Sequence, residues 1–523
     1  MSRFSFICLC FLIHWIAKAQ VLQSNQDFSY TALALETNAR QDAILINNKD
    51  YIVFSKVKGS YLTPTSDYLL EKYDLSMQKL FSIPITLSAD EDFKFLKNYK
   101  DQVYLFIEVH AITTKHSELK VLKYNLADGS FIESKLLMEA TIQDWMTVSG
   151  KGASKESFEN AISSAVSKNF NTPIEYQYQV EFSPDGKSFI TYRYDYSQRT
   201  LSAPFAIYNM DLSSGLSGVT PIDNYFINQG LYINNKQEIF IFNTERSGRI
   251  ALIKYDPINK DNIFLDIQSG TSKRESFSLQ FLNDDAIYIA ALITMGKKAT
   301  GVLYAKFNFK DVLIEKLNIQ EISDGLKQTA ATLRQNNKIS GQEDWMNYHI
   351  TDFQVNQYEK IIFVLEKRYL EYTEIQYDPN AVNDVKNWGE KIGKVKVESI
   401  VALSVNNEDK ILWENYILKN QVMDITAGVN TSSYKFHITV DGKVRFLYAY
   451  SNLSTGVMSN VRFLEWNELT GFKIRDTDLP SEESLTMLRN YSVWSDTELI
   501  LVAKKGLLGK KSSCYVYSIQ NKI

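Results

Sequence analysis

The chain has 523 residues, a formal charge of −4 at pH 7 and 45% hydrophobic residues. This composition excludes a disordered chain, a collagen-like chain and a small disulfide-rich protein. Glycine (22) and proline (9) are scarce beside 31 tyrosines and 29 phenylalanines, which favours strands over loops. The mildly negative charge argues against a nucleic-acid partner, because phosphate binding needs a clustered positive surface.

Residues 1–19 have the pattern of a secretory signal peptide. Arg3 supplies the positive start, an apolar run extends from Phe4 to Ile16, and Ala17-Lys18-Ala19 is a small-x-small cleavage site. The apolar run of about 13 residues is too short to span a bilayer, which takes ~20 residues. We therefore predict cleavage between residues 19 and 20, an exported protein, and no membrane span after cleavage.

Cleavage also changes the cysteine count. Two of the three cysteines, Cys8 and Cys10, lie in the predicted signal peptide, which leaves Cys514 alone. A single cysteine forms no internal disulfide. Cys514 lies in a strand-like stretch, so a buried structural role is predicted rather than a reactive one.

A weakly repeated unit follows the signal peptide. Each unit contains two apolar strands and ends in a Lys-Tyr-Asp-like sequence, followed by a turn and a short outer strand. The clearest endings are at residues 72–74, 123–125, 254–256 and 306–308. Eight copies can be placed, at about 42–85, 92–137, 177–220, 225–267, 276–319, 348–418, 433–478 and 485–523.

A period of ~40–50 residues with four strands per unit is typical of a β-propeller blade. The sequence therefore predicts an all-β fold, with residues 20–523 forming a single β-propeller domain of seven or eight four-stranded blades. The last unit is one strand short, whereas the strand-like segment from Phe28 to Leu35 has no partner in the first unit. We expect this segment to complete the last blade, which closes the ring and removes an exposed edge.

Two insertions, residues 138–176 and 320–347, interrupt the repeat. Apolar residues at helical spacing predict a short helix in each, at residues 154–169 and 323–335. Each insertion also contains an Asp-Trp-Met triplet, with tryptophans Trp145 and Trp345. Each tryptophan either fastens its loop to the ring or forms, with the other, a pair of aromatic binding residues over a central pocket, since loops on a rigid scaffold often carry binding.

No catalytic set is recognisable. The sequence has no Gly-x-Ser-x-Gly elbow, no His-Glu-x-x-His, no EF-hand loop and no glycine-rich phosphate loop, so no catalytic residue, metal site or cofactor is predicted. His110 and His116 bracket a hairpin and would face each other only in one register. Acidic pairs such as Asp284-Asp285 fall in predicted turns, although a glycosidase pair can be distant in sequence.

The stretch from residue 348 to residue 452 resembles a group of uncharacterised, exported, propeller-like proteins of Bacteroidota. The resemblance rests on Tyr348 to Phe353, Ile361 to Glu366, Ile411-Leu412-Trp413 with Lys419-Asn420-Gln421, Ser432-Ser433-Tyr434, and Phe446 to Asn452. It implies a periplasmic or surface location and supplies no activity. Of these locations we predict the periplasm, with extracellular release or display at the cell surface as the alternative. For ordinary blade packing, we expect Trp413 between blades and Lys419 and Gln421 bonded to a neighbouring loop.

Two functions remain open. The first is a non-enzymatic binding or scaffold protein that holds a protein, peptide or glycan partner, with an envelope protein or glycan as the expected partner. The alternative is a hydrolase or lyase acting on a polysaccharide, with acids from separate blades gathered at the axis. The sequence sets no oligomeric state.

Overall fold

The computed structural model describes the strands and many of the turns between residues 20 and 519. The ranges outside this description are 1–19, 23–27, 35–38, 48–49, 58–64, 75, 77, 112–115, 142–177, 195–201, 222–226, 246–247, 260–261, 269–271, 296–297, 340–342, 344, 374–391, 425–433, 452–457, 480–483, 487–492, 506–510 and 520–523. The predicted signal peptide, the first predicted helix and Trp145 therefore lie outside the described residues.

The described residues form eight antiparallel sheets, which we call blades one to eight in chain order. Two strands precede blade one: β1 (Gln20–Leu22) and β2 (Phe28–Ala34). Blade one contains β3 (Ala39–Asn47), β4 (Asp50–Val57), β5 (Ser66–Asp74) and β6 (Lys79–Leu87). Blade two contains β7 (Glu91–Tyr99), β8 (Gln102–Ala111), β9 (His116–Asn125) and β10 (Phe131–Thr141). Blade three contains β11 (Gln179–Phe182), β12 (Ser188–Tyr192), β13 (Ser202–Asn209) and β14 (Ser214–Pro221). Blade four contains β15 (Ile227–Ile233), β16 (Ile239–Thr244), β17 (Arg249–Tyr255) and β18 (Ile263–Gln268).

Blade five contains β19 (Ser272–Phe281), β20 (Ala286–Met295), β21 (Lys298–Asn308) and β22 (Leu313–Glu321). Helix α1 (Asp324–Asn336) and a 3-10 turn (Trp345–Asn347) follow. Blade six contains β23 (Tyr348–Val355), β24 (Ile361–Thr373), β25 (Ile392–Val405) and β26 (Ile411–Asp424). Blade seven contains β27 (Tyr434–Ile438), β28 (Lys443–Ser451), β29 (Met458–Asn467) and β30 (Lys473–Asp478). The remaining strands, β31 (Ser484–Thr486), β32 (Val493–Trp494), β33 (Glu498–Lys505) and β34 (Lys511–Ile519), form blade eight together with β2 and β1.

The eight blades form a closed ring. The first strands of neighbouring blades contact one another, as β3 does β7, β11 does β15 and β19 does β23, so these strands lie closest to the axis. Blade eight contacts both of its neighbours, through β31 against β29 and β32 against β3. The fold is therefore an all-β propeller, as predicted, and the described sheets make eight blades rather than seven.

The last blade combines both ends of the described chain. Strand β2 pairs along its length with β34, from Phe28 opposite Ile519 to Ala34 opposite Ser513. The segment that the sequence left without a partner thus completes blade eight, as predicted. Strand β1 then pairs with the outer edge of β2.

Apolar side chains fill the seams between blades. The seam between blades two and three, for example, contains Phe106, which stands edge-on to Phe182 and Phe189 at centroid distances of 6.2 and 5.6 Å. The middle strands of a blade are nearly continuous apolar runs, because the neighbouring blades cover both of its faces. Strand β16 is buried at every residue for this reason.

The repeated Lys-Tyr-Asp ending lies at the end of the third strand of a blade, and its last residue makes the turn. Asp74 Oδ1 accepts from the backbone N–H of Gln78 (2.8 Å), and Asn308 Oδ1 accepts from that of Lys310 (2.9 Å). Asp and Asn favour turns because their side chains replace a backbone acceptor in this way. The lysine bonds within its blade and to the next: Lys72 Nζ lies 2.8 Å from Asp50 and donates to the carbonyl of Leu126 (2.9 Å).

Both insertions join the outer strand of one blade to the first strand of the next. Because each complete blade has four antiparallel strands, all such connections emerge on the same side of the ring, which we call the connection face; the opposite side is the turn face. Helix α1 confirms the second predicted helix, and Ser323 caps it by accepting from the N–H of Leu326 (3.0 Å). The predicted first residues of the two insertions, 138 and 320, were too early, because β10 continues to Thr141 and β22 to Glu321. Within the described part of the chain, no helix is long and apolar enough to cross a membrane.

A disulfide tests the ring closure directly. Leu33 and Cys514 are directly opposed in the β2–β34 pair, and opposed residues in antiparallel strands lie about 4.5–5.5 Å apart at Cα, within disulfide range. We expect Leu33→Cys, in the chain starting at Gln20, to form a disulfide with Cys514 on oxidation and to stabilise the protein by about 2–4 kcal/mol. The measurement is the thermal midpoint with and without reductant.

Ala34→Cys is the matched control, because Ala34 is opposite Ser513 and neighbouring residues of a strand point to opposite faces. A Leu33→Cys protein that keeps two free thiols under oxidation would contradict this closure.

Candidate functional site

Buried charged residues form two clusters at the end of blade six nearest the connection face. Glu366 and Lys367 are neighbours in β24, and successive residues of a strand point to opposite faces of the sheet. Lys367 enters the seam with blade five, and Glu366 enters the seam with blade seven. Each is the centre of a cluster of charged and polar groups.

The five–six cluster consists of Arg334, Glu343, Lys367 and Glu398. Arg334 Nη1 lies 3.1 Å from Glu343 and 3.3 Å from Glu398, and Lys367 Nζ lies 2.9 Å from each carboxylate. The side chains of Arg334, Glu343 and Lys367 are at most 6% exposed. Two cations face two anions, so the cluster is balanced in charge.

Glu343 is the most heavily bonded group of this cluster. Besides the two cations, it accepts hydrogen bonds from the hydroxyl of Tyr416 (2.8 Å) and from that of Tyr348 (3.3 Å). Arg334 belongs to the last turn of α1, and Glu343 follows that helix. The cluster therefore fastens the second insertion to the body of blade six.

The six–seven cluster consists of Asp352, Glu366, Lys419, Gln421 and Tyr434. Lys419 Nζ lies 3.2 Å from Glu366 Oε1 and also donates to Gln421 Oε1 (3.2 Å). The Lys419 ammonium also lies 5.9 Å from the centre of the Tyr434 ring. Tyr434, on the first strand of blade seven, donates its hydroxyl to the carboxylate of Asp352. This hydrogen bond joins blade seven to blade six.

Burial changes the proton affinities in this cluster. It raises the pKa of Asp352 to about 6, with the Glu366 carboxylate adding to the effect. Burial also lowers the pKa of Lys419 to about 8, against the opposing effect of Glu366. Both shifts have the sign expected when a charge leaves water.

Blade two has a related site in its seam with blade three. A bulge interrupts the first strand at the same register in blades two and six, and Glu108 then occupies the position of Glu366. Glu108 binds Lys94 (2.5 Å) and accepts from the backbone N–H of Tyr178 (3.0 Å), which enters blade three. A buried acid at this position thus lies in an inter-blade seam twice in the ring, and in blade two it also bonds to the next blade.

The sites suggested by the sequence lie as follows. Trp345 is partly buried, packs against the five–six seam and stacks on Tyr348 at a centroid distance of 5.1 Å. This contact fastens its loop to the ring. Trp145 lies outside the described residues, so the pairing of the two tryptophans stays a prediction. His110 is opposite Ser117 and His116 is opposite Ala111, so the histidines do not face each other.

The residues of the family-like stretch also have definite places. Trp413 lies between blades six and seven, as expected, where its Nε1 donates to the carbonyl of Glu468 (2.7 Å). Lys419 bonds to Glu366 and to Gln421 within blade six, and the expected contact of Lys419 and Gln421 with a neighbouring loop stays a prediction. Their strand is long enough to bring them over Glu366, and desolvation requires the buried ammonium to have a nearby acid.

In chemical terms, both clusters hold parts of the ring together: the five–six cluster fastens the second insertion to blade six, and the six–seven cluster joins blade six to blade seven. The Glu343 carboxylate is occupied by four donors, and Glu366 and Glu398 each face a cation. Among the described residues, no three His, Cys, Asp or Glu side chains are grouped to hold a metal ion. The pKa of Asp352, raised to about 6, approaches the range useful for proton transfer.

Sequence reasoning missed Glu343, Glu398 and Asp352. One signal for the clusters was present, because Glu366-Lys367 ends a buried apolar run in β24, where charges need partners. The identity of those partners depends on strands and a loop that are distant in sequence.

No protein-family model and no curated protein matches the chain. Solved structures do match, and the three described next are 7–10% identical to this chain. A prolyl endopeptidase structure is 7% identical, covers 93% of this chain and 55% of that one, and has a TM-score of 0.43. The β-propeller domain of the Trilobed protease from Pyrococcus furiosus is 10% identical, with coverages of 82% and 95% and a TM-score of 0.34. The WD40 domain of SCAP from fission yeast is 9% identical, with coverages of 94% and 98% and a TM-score of 0.35.

These likenesses concern the fold. The chain spans about half the length of the prolyl endopeptidase that it matches. The sheet order itself defines the class, which is the β-propeller.

Removing one carboxylate from the five–six cluster tests its structural role. Glu343→Gln leaves Arg334 and Lys367 buried with a single acid, Glu398, so we expect the free energy of unfolding to fall by about 3–5 kcal/mol. Chemical denaturation measures this change. Glu408→Gln is the control. The Glu408 carboxylate is 65% exposed and pairs with an exposed lysine, so its removal should change the free energy of unfolding little. Equal stability of the two variants would contradict a structural role for the cluster.

The six–seven cluster should make stability depend on pH. Because the pKa of Asp352 is raised to about 6 from 3.8, its stabilising contribution is complete below the ordinary pKa and is lost as the pH rises through 6. A difference of about two pKa units corresponds to at most about 3 kcal/mol. We therefore expect Asp352→Asn to gain stability relative to the wild type between pH 5 and pH 8.

Thermal midpoints at several pH values measure this difference. Asp324→Asn is the control, because that side chain is 99% exposed, and its curve should run parallel to that of the wild type. A constant difference between Asp352→Asn and the wild type across this range would show that Asp352 does not titrate there.

Proposed function

We propose that the protein is an exported, non-enzymatic binding or scaffold propeller for a protein, peptide or glycan partner. One observation carries the proposal: the deeply buried carboxylates at the connection-face end of blade six are bound to lysine, arginine and tyrosine side chains that join blades or fasten the second insertion. Such groups make a rigid support, and loops held on a rigid support are well suited to binding.

The connection face is the proposed binding face. The Trp345 turn lies there and stacks on Tyr348. Helix α1 packs against the outer strand β26, and its last turn is fixed nearby by the five–six cluster. Binding on a pre-ordered surface costs less conformational entropy than binding on a free loop. This supports the choice of the connection face over the turn face, whose tight turns are bonded to one another, as Asp185 N–H is to Asn235 Oδ1 (2.9 Å).

A polysaccharide-acting hydrolase or lyase is the alternative, and Asp352 is the observation in its favour. Its raised pKa is suited to a general acid, and Glu366 lies close enough to influence it. Against this function, the Asp352 carboxylate accepts from Tyr434 inside a seam. Release of reducing sugar from envelope polysaccharides by the wild type, and not by Asp352→Asn, would favour the enzyme.

The location follows from the sequence and is part of the proposal. We propose a periplasmic protein whose mature form begins at Gln20. Amino-terminal sequencing and cell fractionation test this, and an intact first 19 residues on the mature protein would overturn it.

The binding proposal is tested by exposing the immobilised protein to envelope extracts and to a glycan array at micromolar concentration. We expect specific retention, reduced about tenfold or more by Trp145→Ala or Trp345→Ala, as for aromatic residues at the centre of an interface. Phe472→Ala is the control, because Phe472 is 76% exposed on the turn face. Thermal midpoints confirm folding. If neither experiment retained a ligand, the binding function would be abandoned.

A further inference from the structure

Most of the lysines that the structure buries fully or in part are bonded to an acid. The lysines with a carboxylate partner include Lys72, Lys94, Lys120, Lys123, Lys306, Lys316, Lys360, Lys367 and Lys419. Lys97 of β7 is half-buried, and its ammonium has neither an ion pair nor a hydrogen bond with any described residue. A cation withdrawn from water without an anion is costly, so this exception calls for a partner.

Lys97 lies in the seam between blades two and three, two residues before the end of β7 at the turn face. Phe95 and Tyr99, on the same side of β7, pack in this seam beside Phe182 of blade three. The Lys97 ammonium lies 4.7 Å from the centre of the Phe182 ring. Strand β7 pairs with β8 alone among the described strands, so its free edge faces the axis, and the ammonium keeps contact with solvent. A ligand can therefore reach Lys97 from the axis near the turn face.

The Phe182 ring satisfies this ammonium only in part. A cation–π contact attracts the charge on one side, whereas an ammonium has three N–H donors. Burial lowers the pKa of Lys97, which is the direction expected for a cation that has lost water without gaining an acid. An anion beside the ring would accept the remaining N–H groups.

The acid in the same cross-strand row as Lys97 is at the outer end of the blade. Lys97 is opposite Tyr104, and Tyr104 is opposite Lys123. Lys123 is in turn opposite Glu133 of β10 and binds it (3.1 Å). Because neighbouring strands are about 4.8 Å apart, the three spacings from β7 to β10 amount to about 14 Å. Glu133 therefore does not neutralise Lys97.

The described groups at the turn face beside Lys97 include more lysines than acids. Lys100 and Asp101 are exposed in the turn after β7. Lys187 of blade three is close enough to Tyr99 to be influenced by it, and it binds the aspartate of its own turn (2.9 Å). Three lysines thus stand beside two acids, and the net positive charge favours a negatively charged ligand.

We propose that Lys97 binds the carboxylate of an organic acid whose aromatic or aliphatic body rests against the rings of Phe95 and Phe182. A single ammonium suits a singly charged carboxylate, whereas phosphate and sulfate groups are best held by several donors or by arginine. The half-buried rings beside it offer apolar surface to the rest of the ligand. The site is at the opposite end of the axis from the proposed binding face, so it goes beyond the proposed function and does not depend on it.

Phenylacetate is the probe, because it joins one carboxylate to one aromatic ring. Titration into the chain starting at Gln20, at low ionic strength and followed by ligand-observed NMR, should give a dissociation constant on the order of 1 mM or below. Phenylacetamide has nearly the same shape without the charge and should bind about tenfold more weakly. Acetate, which lacks the ring, and sulfate should also bind about tenfold more weakly.

Variants assign the binding to Lys97. Lys97→Met should weaken phenylacetate binding by about tenfold or more, whereas Lys97→Arg keeps a charge that stacks on aromatic rings and should stay within about threefold of the wild type. Lys135→Met is the matched control, because Lys135 also lies over a ring in this seam, that of Tyr208 (5.3 Å), but donates to the carbonyl of Leu212. This control should stay within about twofold of the wild type, because it is distant from the site. Thermal midpoints confirm folding.

A second measurement uses the wild type alone and does not depend on the folding of a variant. Acetic anhydride acetylates lysine amines, and mass spectrometry follows each lysine separately. Bound phenylacetate should slow the acetylation of Lys97 by about twofold or more, because it covers the amine and favours its protonated form. Phenylacetamide should not slow this reaction, and neither compound should change the rate at Lys135.

Three results would overturn the inference. The first is equal binding of phenylacetate by the wild type and Lys97→Met, with no protection of Lys97 from acetylation. The second is equal affinity for phenylacetate and phenylacetamide, because the charge would then contribute nothing. The third is sulfate binding as tight as that of phenylacetate, because the site would then lack the assigned carboxylate chemistry.

Discussion

The structure depends on one constraint, which is that every blade has two apolar faces and neither is covered within the blade. Strand β16 illustrates this, since all of its residues are buried although it belongs to a sheet only four strands wide. The faces are buried only when blades stand side by side around a complete circle. An open end would expose a whole sheet face, so closure by β2 contributes to the burial of the first and last blades together.

Charged residues are used inside these seams where an apolar contact alone would not fix position. On its two faces, blade six has two separate clusters, which start from the neighbouring residues Glu366 and Lys367. Buried ion pairs contribute little net stability, but they tolerate few alternative arrangements because an unpaired buried charge is costly. The two clusters therefore set how the second insertion and blade seven sit against blade six, which is where the binding face is proposed.

Much of the fold could be predicted because its signals are local. The Lys-Tyr-Asp endings make turns with their own next residues, as Asp74 does with Gln78, and the capped helix after Ser323 is visible in the spacing of its apolar residues. The role of β2 was also accessible, since counting strands left one unit short. The members of the clusters could not be predicted. Glu343 contacts Lys367 only once a helix, a loop and two strands are in place, and no periodicity in the sequence indicates this contact. His110 and His116 show the same limit, because a one-residue difference in register decides whether they face each other.

The pairing of β2 with β34 has a kinetic consequence. The paired residues Phe28 and Ile519 are separated by nearly the whole chain, so this contact carries the largest loop-closure entropy in the molecule, about 5 kcal/mol on the usual logarithmic scaling. Contacts of such high order form late. Because a chain is synthesised from its amino terminus, β2 must remain without its β34 partner until β34 has been synthesised. During that interval, β2 is exposed to mispairing and to proteases.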